Sequence, residues 1–73
     1  MRFADRLKEL RAKANLTQAE LAEKARLPAG TVRNYEQGIR QPNWAKFIQL
    51  IRALGVPASA FAKCDEISKE SRP

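Results

Sequence analysis

The sequence predicts an all-α fold of five short helices in one compact domain, and three observations carry that expectation. Apolar residues recur at steps of three and four along the chain, the period of a helix face. Cap-forming residues and left-handed stops cut that pattern into short segments. The length, 73 residues, allows one small domain at most.

The first helix is expected over Phe3–Lys13, with Phe3, Leu7, Leu10 and Ala14 on one face. Asp5 in its first turn and Lys13 in its last both complement the helix dipole. Asn15 is placed to stop it, because asparagine tolerates the left-handed conformation better than most residues. Thr17 and Glu20 have capping-box spacing, and Leu16 and Leu21 flank them as a hydrophobic staple. They start a second helix that ends near Ala25. Its stripe of Leu21, Ala22 and Ala25 is narrow enough for a neighbouring helix to approach closely.

Arg26-Leu27-Pro28 forms the turn. Arginine stands where a left-handed glycine would be comfortable, at a cost of about 1 kcal/mol. Pro28 ends any continuation of the second helix and suits entry to the next. A third helix follows from Ala29 to about Gln37, with Val32 and Tyr35 inward and Gly38 as its stop. Gly30 lowers its propensity by roughly 1 kcal/mol against alanine. After the loop Ile39–Pro42, Asn43 caps a fourth helix over Trp44–Leu54. Trp44, Phe47, Ile48, Leu50, Ile51 and Leu54 give it a wide apolar face, so it is expected to be the most buried helix. Gly55 ends it, and Val56-Pro57 introduces a fifth helix over Ala58–Lys63 anchored by Phe61. Residues 1–63 are assigned to the domain and 64–73 to a polar, frayed tail.

The net charge of +6 favours a polyanionic partner, nucleic acid first among them. Residues 1–16 and 39–55 each carry +3, while 17–38 and 56–73 balance to zero. No histidine is present, Cys64 has no evident base partner, and no metal-ligand or phosphate-loop spacing occurs. No enzymatic activity, metal or cofactor is expected. A single cysteine suits a reducing cytoplasm. No apolar run is long enough to span a membrane, and the N-terminus lacks the apolar core of a secretion signal. A cytoplasmic protein, on the nucleoid when bound, is the expectation.

With the helices placed, a resemblance emerges. Leu16-Thr17-Gln18, Glu20-Leu21-Ala22, Thr31-Val32, Glu36-x-Gly38, Pro42 and Ala53-Leu54-Gly55-Val56 stand in a register that resembles the Cro/C1-type helix-turn-helix domain of bacterial and phage repressors, the Xre family. The likeness covers about Phe3–Phe61. It implies a five-helix lambda-repressor-like domain with the helix-turn-helix at helices 2 and 3. It also implies a regulator that binds double-stranded DNA, commonly a repressor dimerised on a two-fold symmetric operator. Such domains occur too in antitoxins, restriction–modification controllers and larger proteins.

A recognition helix meets base edges with its N-terminal residues. By resemblance the base-reading positions are Ala29, Gly30 and Asn34, with Arg33 beside them. Ala29 and Gly30 depart from the family's usual polar readers: alanine fits a thymine methyl, and glycine lets the backbone come close. Direct readout then falls on Asn34 toward adenine and Arg33 toward guanine. Thr31 fits a base or a phosphate. Gln18 corresponds to the family's phosphate clamp, with Thr17 beside it already committed to capping. Asn43 and Lys46, at the start of the fourth helix, and Arg40 and Gln41, on the loop before it, are further phosphate candidates. A plain solvated arginine is an equal reading of Arg40. With few long side chains at the tip, DNA deformability is expected to supply much of the specificity.

The family also pairs an arginine of the first helix with the glutamate before this glycine, which implies a structural Arg11–Glu36 ion pair. Apolar surface beyond what a minimal core needs suggests a homodimer seam near Ala58, Phe61, Ala62 and Ile67. A different protein partner would use the same surface.

Overall fold

The computed structural model describes residues 2–62 and 64. Four α-helices, α1 (Phe3–Lys13), α2 (Gln18–Ala25), α3 (Ala29–Glu36) and α4 (Trp44–Leu54), are followed by one 3₁₀ turn over Ala58–Phe61. Among the described residues the helix count is therefore four, and the expected fifth helix is corrected to that turn. Its backbone bonds run from Ala60 N to Pro57 O, Ala62 N to Ser59 O and Cys64 N to Phe61 O, each spanning three residues. Three residues per turn bring Ala58, Phe61 and Cys64 onto one edge. Phe61 and Cys64 are buried there and Ala58 packs beside them. An α-helix would carry Cys64 about 120° round from Ala58, away from the core. Cys64 thus belongs to the core, although the sequence pattern put it at the head of the tail.

α2 packs against both α3 and α4, and α1 packs against α3. The core is closed by three rings drawn from α1, α4 and the 3₁₀ turn. Phe3 stacks on Phe61 at 5.1 Å, Phe47 meets Phe61 edge-on at 5.2 Å, and Phe3 lies 6.3 Å from Phe47. Burying each such ring contributes about 1.5–3 kcal/mol. On α4, Phe47, Leu50, Ile51 and Leu54 are buried as their spacing requires. Trp44 corrects the expectation of burial: it shares their stripe but is 66% exposed, at the first residue of the helix with its ring resting on Phe47. Spacing fixes the direction of a side chain, not how far along the helix the core extends.

Each helix leaves through a left-handed residue: Asn15 (φ 60°), Arg26 (φ 61°), Gly38 (φ 78°) and Gly55 (φ 73°). At Gly38 the space of a Cβ is taken by the end of the Arg2 side chain, which can swing aside, so the positive φ is what favours glycine there. The capping box of α2 is complete, with Glu20 N donating to Thr17 Oγ1 at 3.0 Å and Thr17 N to Glu20 Oε1 at 2.8 Å. Asn43 Oδ1 accepts from Lys46 N at 2.9 Å and starts α4. Two long-range bonds tie element ends together: Arg6 Nε donates to Ala60 O at 2.7 Å, and Gln49 Nε2 to Ala25 O at 2.9 Å. No helix among the described residues is long and apolar enough to cross a membrane.

The Arg26 conformation yields a direct test. Arg26→Gly removes the clash of a Cβ in the left-handed region and is expected to raise stability by about 1 kcal/mol. The urea midpoint measures it; a lowered midpoint means that the arginine side chain makes up the strain.

Candidate nucleic-acid interface

The orientation of α3 rests on a buried carboxylate. Glu36, in its last turn, is 4% exposed and is the one charged side chain buried among the described residues. Arg11 of α1 donates to it twice, Nε to Oε2 at 2.6 Å and Nη2 to Oε1 at 3.0 Å. Gln18 of α2 adds Nε2 to Oε1 at 3.0 Å. Arg11 Nη1 also donates to Leu16 O at 2.9 Å, on the chain between α1 and α2. Three helices therefore converge on one carboxylate, with both oxygens bonded, as a buried charge demands. Hydrogen bonding to Glu36 raises the Arg11 pKa above its ordinary value against the opposing pull of burial. A raised folded-state pKa keeps the guanidinium's own contribution whole below the unfolded pKa and removes it as pH rises through the folded one.

Gln18 is thus not simply a side chain aimed at solvent. The sequence placed it at the start of α2 for a phosphate, and the fold commits one of its two amide hydrogens to Glu36. The remaining N–H is held in a fixed direction. No local signal could have paired Gln18 with a residue on another helix.

With Val32, Tyr35 and Glu36 turned inward, α3 presents Ala29, Gly30 and Arg33 to solvent. Thr31 and Asn34, three residues apart and half-buried, lie at the border of the two faces. That border opens into a polar cleft of about 410 Å³ lined by Thr31, Asn34, Tyr35, Arg40, Gln41, Asn43 and Lys46. One surface therefore brings together two of the predicted base-contact residues and four of the predicted phosphate-contact residues. Ala29, Gly30 and Arg33 stand outside the cleft, on the exposed face. At Gly30 an added methyl would meet nothing within 4 Å, so no packing inside the domain requires glycine there. The Asn34 carbonyl accepts from Ile39 N at 3.0 Å and Arg40 N at 3.4 Å, which folds the loop back against α3. Burial pushes the Tyr35 hydroxyl pKa up, and the nearby Arg40 charge draws it part of the way back.

Among the described residues the cleft lining contains no carboxylate. Arg33, Arg40 and Lys46 take part in none of the ion pairs among the described residues, which lie on α1 and between Arg11 and Glu36. A second hollow of about 330 Å³, lined by Lys24, Ala25, Arg26, Gln49 and Arg52, had no sequence signal, because its cations come from two helices and a turn.

Of the residues assigned to a dimer seam, Phe61 is wholly enclosed in the core, which corrects its expected place on the surface. Ala58 is half-buried and Ala62 exposed; Ile67 lies outside the described residues.

Two helices locked in a tight corner, the second with an open polar face flanked by unpaired cations, define a helix-turn-helix domain. Comparison with known proteins agrees. A family profile described as "Helix-turn-helix domain" matches residues 2–63. The HTH-type transcriptional regulator ImmR of Bacillus subtilis (strain 168) is 35% identical over 71 residues, spanning 97% of this chain and 56% of that protein. The chain thus covers about half the length of that curated relative. A crystal structure of a mutant of the Restriction-Modification Controller Protein C.Esp1396I aligns with a TM-score of 0.78 at 18% identity, over 96% of this chain and 92% of that one. The chain belongs to the helix-turn-helix domain family.

The carboxylate clamp sets an expectation for stability. Glu36→Ala leaves Arg11 without its partner and should cost about 2–3 kcal/mol. That is below the full penalty of a broken buried pair, because the Arg11 side chain is 21% exposed and water recovers part of the loss. A denaturant midpoint equal to that of the parent protein would remove the clamp from this role.

Proposed function

We propose that the domain binds double-stranded DNA sequence-specifically as a small transcriptional regulator, a repressor acting as a homodimer on a two-fold symmetric operator. The observation that carries this reading is the cleft that joins Thr31 and Asn34 of α3 to Arg40, Gln41, Asn43 and Lys46. It sets hydrogen-bonding groups suited to base edges beside cations suited to the backbone, with no carboxylate between them. The family match and the regulator ImmR support the same reading.

In this mechanism α3 enters the major groove by its N-terminal end. Asn34 makes the paired bond that an adenine edge offers, and Arg33 the corresponding pair with guanine. Ala29 meets a thymine methyl, Gly30 brings the backbone close, and Thr31 donates to a base or phosphate. On one side the start of α2 presents Thr17 and Gln18 to a phosphate, the free Gln18 N–H pointing as Glu36 directs it. On the other side Arg40, Gln41, Asn43 and Lys46 hold the next strand. These backbone contacts fix position and supply affinity, and sequence is read by few groups. DNA deformability therefore supplies much of the discrimination. The second copy meets this one along the edge that exposes Ala62, with Ala58 beside it and Phe61 supporting from beneath.

Selection of bound sites from random duplex DNA tests binding and symmetry together. The expected product is a pair of inverted half-sites with centres about 34 Å apart on one face of the duplex. Recovery of single, unpaired half-sites would refute the dimeric geometry, and recovery of no preferred sequence would refute specific binding.

Gly30 allows a test in which two readouts move in opposite directions. Gly30→Ala should stabilise the free domain by up to about 1 kcal/mol through helix propensity, since its Cβ meets open space. The same methyl should weaken binding to the selected site, because it stands between the backbone and the groove. Thermal unfolding and a mobility-shift titration of one preparation read both. Increased stability with unchanged affinity would place Gly30 outside the contact.

A further inference from the structure

The cleft does not account for the two large apolar side chains that stand exposed among the described residues. Ile39 is 64% exposed and Trp44 is 66% exposed. Ile39 lies on the segment that joins α3 to α4, and Trp44 is the first residue of α4. Single exposed apolar side chains are ordinary on a surface, and Trp44 stands apart as a large aromatic ring with a polar N–H. Trp44 is also held in place: Asn43 caps the helix at its backbone, and its ring rests on Phe47 with centroids 5.5 Å apart.

Charge narrows the occupant. Residues 39–46 contain Arg40 and Lys46 and no acidic residue, and the adjoining cleft has no carboxylate in its lining. A second copy of this chain seated here by two-fold symmetry would set like charges together, at a net +6 per chain. An acid-free basic stretch of chain that carries a flat apolar ring matches instead a polyanion that has an apolar face of its own. The sugar–phosphate backbone of a duplex has both parts: a deoxyribose to cover, and an anionic oxygen beside it. An indole offers a ring for the first and one N–H donor for the second.

We infer that Trp44 is a backbone anchor, its ring packed on a deoxyribose and its Nε1–H donated to a phosphate of the duplex that α3 reads. The inference rests on the DNA-binding function proposed above. It adds a contact that carries affinity without sequence preference and without charge. Lys46, two residues on, releases counterions when it meets a phosphate; Trp44 releases none.

Trp44 is the only tryptophan of the chain, so its fluorescence reports this position alone. The full chain is titrated with a duplex carrying its selected site, with complex formation followed in parallel by mobility shift. Acrylamide quenching of Trp44 should fall several-fold in the saturated complex. Trp44→Ala should bind roughly tenfold more weakly, equally on the selected site and on a scrambled duplex, with the salt dependence unchanged. Lys46→Ala should instead lower the salt slope by about one. Trp44→Phe, which keeps a ring against Phe47 and so guards against loss of fold, should fall between the parent and Trp44→Ala.

Undiminished quenching in a complex that the mobility shift shows to be saturated overturns the inference and leaves DNA binding intact. So does parental affinity in Trp44→Ala. Shielding that grows with protein concentration in the absence of DNA assigns Trp44 to a contact between copies, and overturns it as well. A chain that shifts no duplex at all refutes the DNA-binding reading, and the anchor with it.

Discussion

A carboxylate buried in a domain this small is costly unless every lone pair it turns inward finds a donor. Glu36 meets that demand with a guanidinium from α1 and an amide from α2. The consequence is geometric. The three donors reach the carboxylate only when α1, α2 and α3 stand at one set of mutual angles, so the hydrogen bonds select among packings that apolar contact alone would leave close in energy. A two-point Arg–carboxylate pair is directional in a way that the alanine-rich stripe of α2 is not.

Fixing α3 from the inside determines what it shows outside. Val32, Tyr35 and Glu36 take the inward face, which leaves Ala29, Gly30 and Arg33 outward and Thr31 and Asn34 on the border. The loop that follows is bound back to the Asn34 carbonyl, so Arg40 and Gln41 come beside that border rather than extending away from it. The cleft is thus a product of the clamp and the loop together. Its residues other than Tyr35, which the sequence assigns to the core, were each identifiable singly in the sequence, but their meeting on one surface was not.

What local chemistry encodes, the sequence displays. The bounds of α1, α2 and α4 follow from Asn15, the Thr17–Glu20 box, Asn43 and Gly55, and the strained turn follows from arginine in a glycine position. Each of these signals acts within four residues. What the sequence conceals is set by tertiary partners. Trp44 and Phe47 lie on one stripe, yet only Phe47 has Phe3 and Phe61 to pack against, and this difference lies in α1 and the 3₁₀ turn. The shift from α to 3₁₀ at Ala58 likewise depends on bringing both Phe61 and Cys64 to the core. Arg6 and Gln49, polar residues with no motif around them, turn out to close the ends of distant elements.

The charge distribution changes meaning once partners are known. By sequence, residues 1–16 and 39–55 carry equal surpluses, which suggests two equivalent basic flanks. The structure makes them unequal. On α1, Arg6, Lys8, Arg11 and Lys13 each lie within 4.0 Å of a carboxylate, and the Arg2 guanidinium fills the space over Gly38. Arg40 and Lys46 have no such partner among the described residues and line the cleft. Arg40 and Lys46 thus leave positive charge open to a ligand on the α4 side of the cleft. On the α2 side, an approaching anion meets helix-end amides and the one Gln18 N–H that Glu36 leaves over. In the proposed complex such a surface would hold one strand by charge and the other by directed hydrogen bonds. The first contact tolerates sliding and the second does not, so on that proposal the residues that clamp the fold would also set the register in which a duplex is read.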